Sequence, residues 1–260
     1  MTPTLSRVLP CAVAAFSLAA CQTSPVADAG FLTSYEGLKT RPGTLRVAVR
    51  DRRDEVLATG IDHIVIEPAQ LVAGAADGLA PVDVALVLGE VDRQVCYELS
   101  ERFTVLQAAD RDVPRVRVAV TRITPTEPVS SGAAAVANAF IPGPLGVRVP
   151  GSTGALAAEA ELVASTGVQA AAVAWARSAT VVGTDTPSLS RVGDALQFAE
   201  VFGDQVGDSF APGNRKVRPI PDPDPCARFG PRDQGAGFFV RLLTGLYVPE
   251  VQGVRAQERP

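Results

Sequence analysis

Apolar positions recur along this chain with two periods, and each switch between them marks an element. The β-branched run Ile64-Val65-Ile66, stopped by Pro68, predicts a buried strand within Asp62–Leu71. Pro81 suits the first turn of a helix. From there Val84, Leu88, Val91, Val95 and Leu99 repeat at spacings of three and four, which predicts an amphipathic helix of about 20 residues ending near Ser100. Phe103–Leu106 reads as a short strand. Along Arg115–Ile123 the period becomes two: Val116, Val118 and Val120 share one face, Arg115, Arg117 and Thr121 the other. The alternation breaks before Ile123, as at a bulge.

A hairpin follows. Leu156, Ala158, Ala160 and Leu162 face inward and Glu159 and Glu161 outward; Thr166-Gly167 forms the turn. The second strand sets Ala171, Val173 and Trp175 against Ala170, Ala172, Ala174 and Ala176, and a face of alanines allows another layer to approach closely. Thr186-Pro187 predicts the start of a second helix, capped by Thr186 and ended by Gly213. Its apolar side is Val192, Ala195, Ala199, Phe202, Val206 and Phe210. Nearer the start, Phe31, Leu32, Tyr35 and Leu38 have the spacing of a single helical turn, and Leu45–Val49 that of a short strand. The order of elements predicts an α+β fold: one mixed, largely antiparallel sheet with two long helices on one face.

Two stretches depart from these periods. Residues 129–154 are rich in Gly, Ala, Ser and Pro, with Ala133–Ile141 helical in spacing and Pro142-Gly143-Pro144 as a breaker. The stretch is too long for a simple connection. In the tail, Pro219–Pro225 alternates proline and acid and predicts an extended, exposed segment. Beyond it Phe239, Leu242, Leu243 and Leu246 have helical spacing within Gly237–Val248. That piece suits either docking on the domain or a surface helix touching lipid, and these four residues, together with the 129–154 loop, are the expected partner contacts.

The N-terminus carries an address. Arg7 precedes an apolar run, Val8 to Ala20, that closes on Leu18-Ala19-Ala20-Cys21. This is the layout of a cleaved signal peptide, and the run is too short to span a bilayer, which takes about 20 residues. Cleavage between Ala20 and Cys21 would leave a cysteine whose thiolate can take a diacylglycerol. Gln22, rather than Asp, follows the cysteine. By resemblance to Gram-negative lipoproteins this implies sorting to the outer membrane, with the domain facing the periplasm. The expected layout is a signal at 1–20, a lipid-anchored tether at 21–29, a domain at 30–213 and a Pro-rich tail at 214–260.

The chain has net charge −4, and its basic residues are nearly all Arg. An acidic balance without clustered Lys and Arg argues against a nucleic-acid partner. Once the signal and the lipidated Cys21 are set aside, Cys96 and Cys226 are the only possible disulfide pair. An oxidising periplasm allows the bridge; two buried free thiols are the alternative. Loop-closure entropy for roughly 130 enclosed residues is worth about 4–5 kcal/mol.

Candidate chemistry is thin. His63 is the only histidine, and it precedes a buried strand, away from any nucleophile pattern. One His and two distant Cys do not make a zinc site, and no phosphate loop or nucleophile elbow is present. Glu159 and Glu161 lie roughly 7 Å apart on one strand face. Such a pair suits acid–base work but reads more simply as a solvated face. Arg115, Arg117 and Arg122 read as ordinary surface. No catalytic residue, metal or cofactor is expected beyond the acyl chains on Cys21.

Three signatures together resemble a bacterial lipoprotein family catalogued as domain of unknown function 3313. They are Gly30-Phe31-Leu32…Tyr35…Leu38, the strand from Arg115 to Thr121 followed by Pro125, and Glu159-Ala160-Glu161…Thr166-Gly167. The likeness spans roughly Gly30 to Phe210. Glu67-Pro68 stands where Asp-Pro is usual, and Val163-Ala164 where an acid is expected before the turn. The resemblance implies a periplasm-facing lipoprotein domain and carries over no catalytic residue. The expectation is therefore a non-enzymatic binding or structural module of the envelope, held on the membrane by its lipid and meeting an envelope protein partner. The alternative is a small-ligand carrier or hydrolase with a cleft under the 129–154 loop.

Overall fold

Alternation in the strands and three-four spacing in the helices build two layers. The computed structural model describes residues 26–42, 46–107, 112–128, 146–149, 151–183 and 185–230. Its main sheet has eight strands. These are β1 (Lys39–Thr40), β2 (Val47–Arg53), β3 (His63–Ile66), β4 (Gln70–Leu71), β5 (Thr104–Val105), β6 (Arg115–Thr124), β8 (Ala155–Val163) and β9 (Gln169–Ser178). Their order is β1-β2-β9-β8-β6-β3-β5, with β4 also on β6. The sheet is mixed: β3 and β4 run parallel to β6, and β8 pairs antiparallel with both β6 and β9. β7 (Gly146–Val147) and β10 (Val182–Gly183) form a separate two-stranded ribbon. The α+β reading from periodicity is what the chain adopts.

Pro68 lacks an N–H to donate, so the strand predicted over Asp62–Leu71 splits into β3 and β4 on either side of it. The bulge before Ile123 is present: the β6–β8 register slips between Val120 and Arg122. β2 lies further along the chain than Leu45–Val49, because its partner β9 pairs with it through Arg53.

Two long helices, α2 (Pro81–Ser100) and α3 (Gly193–Phe210), cover one face; α1 (Glu55–Thr59) is a single turn capped by the Asp54 carboxylate. Val118, Val120, Leu156, Trp175 and Phe202 are fully buried between the layers, with the Trp175 and Phe202 rings 5.5 Å apart. Gly203 lets the helices close together: a Cβ there would stand 2.9 Å from the Gln94 backbone. Among the described residues no helix is long and apolar enough to cross a membrane.

The second helix begins six residues later than the Thr186-Pro187 signal predicts. The intervening backbone is committed elsewhere, with Arg191 accepting from the Thr126 N–H at 2.7 Å. The buried Asp194 then fixes the first turn, accepting from Arg148, from the Gly154 N–H and from the Thr126 hydroxyl. The helix ends at Phe210, ahead of Pro212-Gly213. Cys96 and Cys226 form a disulfide that ties the tail to α2. The described part of the tail is seated on the domain: Arg215 donates to the Ile61 carbonyl at 2.7 Å and Arg228 to that of Ile66 at 3.1 Å. Pro219, Pro221 and Pro223 are exposed, as expected.

Candidate functional site

The sheet has a second face, and its composition differs from the first. Pairing aligns Arg117, Glu161, Ala172 and Arg52 on one rung, and Ala119, Glu159, Ala174 and Arg50 on the next. Alanines therefore surround two carboxylates. Sequence reading places Glu159 and Glu161 on a solvated face; both are instead 0 % exposed. What covers them is the segment Val26–Leu38, an irregular strap laid across the alanines. The helical turn expected at Phe31–Leu38 is reduced to one turn bond, from the Leu38 N–H to the Tyr35 carbonyl at 3.3 Å, because the amides of Ala29 to Thr33 bond to side chains instead.

Tyr35 is the strap's hub. Its hydroxyl donates to Glu159 Oε2 at 2.6 Å and accepts from the N–H groups of Gly30, Phe31 and Leu32 at 2.7, 2.9 and 3.3 Å. Gly30 takes φ +82°, where a side chain would be strained, so the chain can curl its amides around one oxygen. Burial, and then the bond to Glu159, push the Tyr35 phenol above its usual pKa. The other Glu159 oxygen accepts from the Ala29 N–H at 2.9 Å.

Glu161 is the second lock. It accepts from the Thr33 N–H at 2.8 Å, the Thr33 hydroxyl at 2.9 Å and Gln169 Nε2 at 2.7 Å. It also pairs with Arg117, whose guanidinium lies 4.9 Å from the centre of the Phe31 ring. Arg50 and Arg52 hold the strap's ends: Arg50 bonds the Val26 carbonyl and Asp28, and Arg52 the Glu36 carbonyl. The first and third sequence signatures thus meet at one place, though they lie more than a hundred residues apart. The middle signature supplies Arg117 from the neighbouring strand.

The remaining candidates do not converge here. His63 is exposed at the start of β3. Arg115 bonds Glu67 at 3.2 Å, which gives the Glu67-Pro68 variant a partner. Among the described residues no group of His, Cys, Asp and Glu is placed to hold a metal ion. An apolar cleft of about 390 Å³ opens between α2 and residues 71–79, and a polar one of about 440 Å³ lies between Lys39, Asp54 and Ser209. Neither is lined by His63, Glu159 or Glu161. Ala20, Cys21, most of the 129–154 loop, and Phe239, Leu242, Leu243 and Leu246 lie outside the described residues.

The sequence model of one family, described as a protein of unknown function (DUF3313), matches residues 27–206. This chain belongs to that family. The match opens within the strap and runs through β8 and β9 into α3, so the DUF3313 domain includes both halves of the lock. A search of the curated proteins finds no match. Two solved structures of the PelC dodecamer from Paraburkholderia phytofirmans, one a point variant, are distantly similar. The variant is 10% identical at a TM-score of 0.36, over 62% of this chain and 97% of that one. The other is 10% identical at 0.35, over 62% and 94%.

Proposed function

We propose that this DUF3313 protein is a lipid-anchored lipoprotein of the outer membrane, facing the periplasm and acting as a non-enzymatic binding or structural module. One observation carries the non-catalytic part. Every oxygen of the buried carboxylate pair is bonded to the strap or the sheet. An acid–base pair needs a proton path to a substrate, and here the carboxylates are spent on holding the chain's own N-terminal segment. The anchor reading draws support from the same segment, which docks only five residues after Cys21. A strap locked at that distance transmits the position of a lipid directly to the domain.

Mass spectrometry of the protein from its native envelope tests this. The expected product begins at Cys21 and carries acyl chains, and Cys21→Ala leaves the protein unprocessed or unacylated. A mature chain that starts elsewhere without acyl mass would overturn the anchor. Cross-linking in intact cells should capture an envelope protein, and deletion of Gly237–Pro260 should weaken that capture while the domain stays folded.

A further inference from the structure

We propose that the strap-bearing face of the sheet lies against the lipid surface, near anionic headgroups, and that α2 and α3 face away from it. The proposal rests on Cys21 as the lipidated residue and adds an orientation to it.

Reach is the first argument. Val26 lies five positions after Cys21, so even a fully extended chain spans at most about 18 Å. Val26 is held at Arg50, on the outer face of β2, and Asp28 bonds the same guanidinium at 2.5 Å. The strap cannot swing round the domain, because Glu159 and Glu161 fix it at Ala29, Thr33 and Tyr35. The outer surface of α2 and α3 lies beyond the sheet by a further helix diameter, about 10–12 Å. A short tether leaving the outer face therefore brings that face nearest the membrane.

Charge is the second argument, and it is independent of the tether. On β2 the alternation puts Arg50 and Arg52 on the outer face and turns Asp51 and Arg53 toward the helix layer, where Arg53 donates to the Asp208 and Ser209 carbonyls. Arg117 joins Arg50 and Arg52 on the outer face, whereas Lys39, opposite Asp51 on the edge strand β1, lies on the other. Asp28 pairs with Arg50 and Glu161 with Arg117, and Glu36 sits beside Arg52, so the outer face is balanced in charge. The helix layer is acidic. Glu98, Glu200, Asp204 and Asp208 crowd together where α2 meets α3, with Arg102 bonded to Glu98 at 2.8 Å and to Asp208 at 3.0 Å. Anionic headgroups repel the acidic helix layer and do not repel the balanced outer face.

The test uses the acylated mature chain in vesicles of phosphatidylethanolamine and phosphatidylglycerol containing a nitroxide-headgroup lipid. Cys21 is acylated and Cys96 and Cys226 are bridged, so one added thiol can be labelled cleanly. A fluorophore on Thr40→Cys should be quenched several-fold more than one on Glu200→Cys. Equal or reversed quenching in vesicle-bound protein overturns the orientation while leaving the anchor intact. Protein that fails to float with the vesicles overturns the anchor reading, and the orientation with it. Replacing phosphatidylglycerol by phosphatidylcholine should shrink the contrast; an unchanged contrast overturns the headgroup part.

Discussion

The two faces of the sheet are made by the same strands and are stabilised by different physics. Toward α2 and α3, β6, β8 and β9 present Val118, Leu156, Val173 and Trp175, and stability comes from apolar area and close packing. Toward the strap, the same strands present alanines, Glu159 and Glu161. There is little apolar volume to bury, so the strap is held by directional hydrogen bonds to two carboxylates. The first face should be sensitive to side-chain volume. The second should be sensitive to the identity of single atoms.

The largest effect expected is on the helix face. Trp175→Ala should cost about 3–5 kcal/mol in urea unfolding, enough to unfold much of a marginal domain. Trp175→Phe should cost far less, since among the described residues the indole N–H has no hydrogen-bond partner to lose. On the strap face the ranking should invert. Glu161→Gln keeps volume almost unchanged yet removes the charge that pairs with Arg117 and accepts from Thr33. It should cost about 2–3 kcal/mol. A silent Glu161→Gln beside a severe Trp175→Phe would break the comparison.

Tyr35→Phe sharpens it further. The change deletes one oxygen that serves one acceptor and three donors. A loss of about 1–2 kcal/mol is expected, confined to the strap. Hydrogen exchange should quicken at Gly30, Phe31 and Leu32 while the amides of α2 keep their protection. Equal acceleration in both would mean that strap and core open as one unit.

The same contrast explains what could be read from the chain. The helix face was legible because its residues announce a period: α2 runs over the residues its three-four spacing predicts, and the bulge in β6 falls where the alternation breaks. Glu159 and Glu161 were legible as neighbours on one strand face and not as buried groups. Period says which way a side chain points, not what lies over it. Their cover is an irregular segment some 130 residues earlier in sequence, whose bonds follow no period. One signal was available: Tyr35 and the Glu159–Glu161 pair belong to separate signatures of the same resemblance. The start of α3 was missed for a similar reason, since Thr186-Pro187 is a sound local cap overruled by contacts with Thr126 and Arg148.

Carboxylates that lack the strap's donors behave differently, and Asp204 supplies the smallest prediction. It sits on the helix layer, where burial, and then Glu98, Glu200 and Asp208, raise its pKa from 3.8 to about 6. The fold therefore holds a proton that the unfolded chain has already released. Below about pH 4 both states are protonated and the site contributes nothing to the balance. Between about pH 4 and pH 6 stability falls as pH rises, and above that range the penalty is complete. Asp204→Asn removes the charge and keeps an N–H donor toward Glu98. It should stabilise the protein at pH 7.5 and leave it unchanged at pH 4. Asp204 is only partly desolvated and keeps much of its surface in water, so solvent screening limits the gain to a few tenths of a kcal/mol. Urea midpoints at the two pH values measure it. A gain of equal size at both would show that the carboxylate's charge is not the cause, and would remove the acidic cluster from the difference between the two faces.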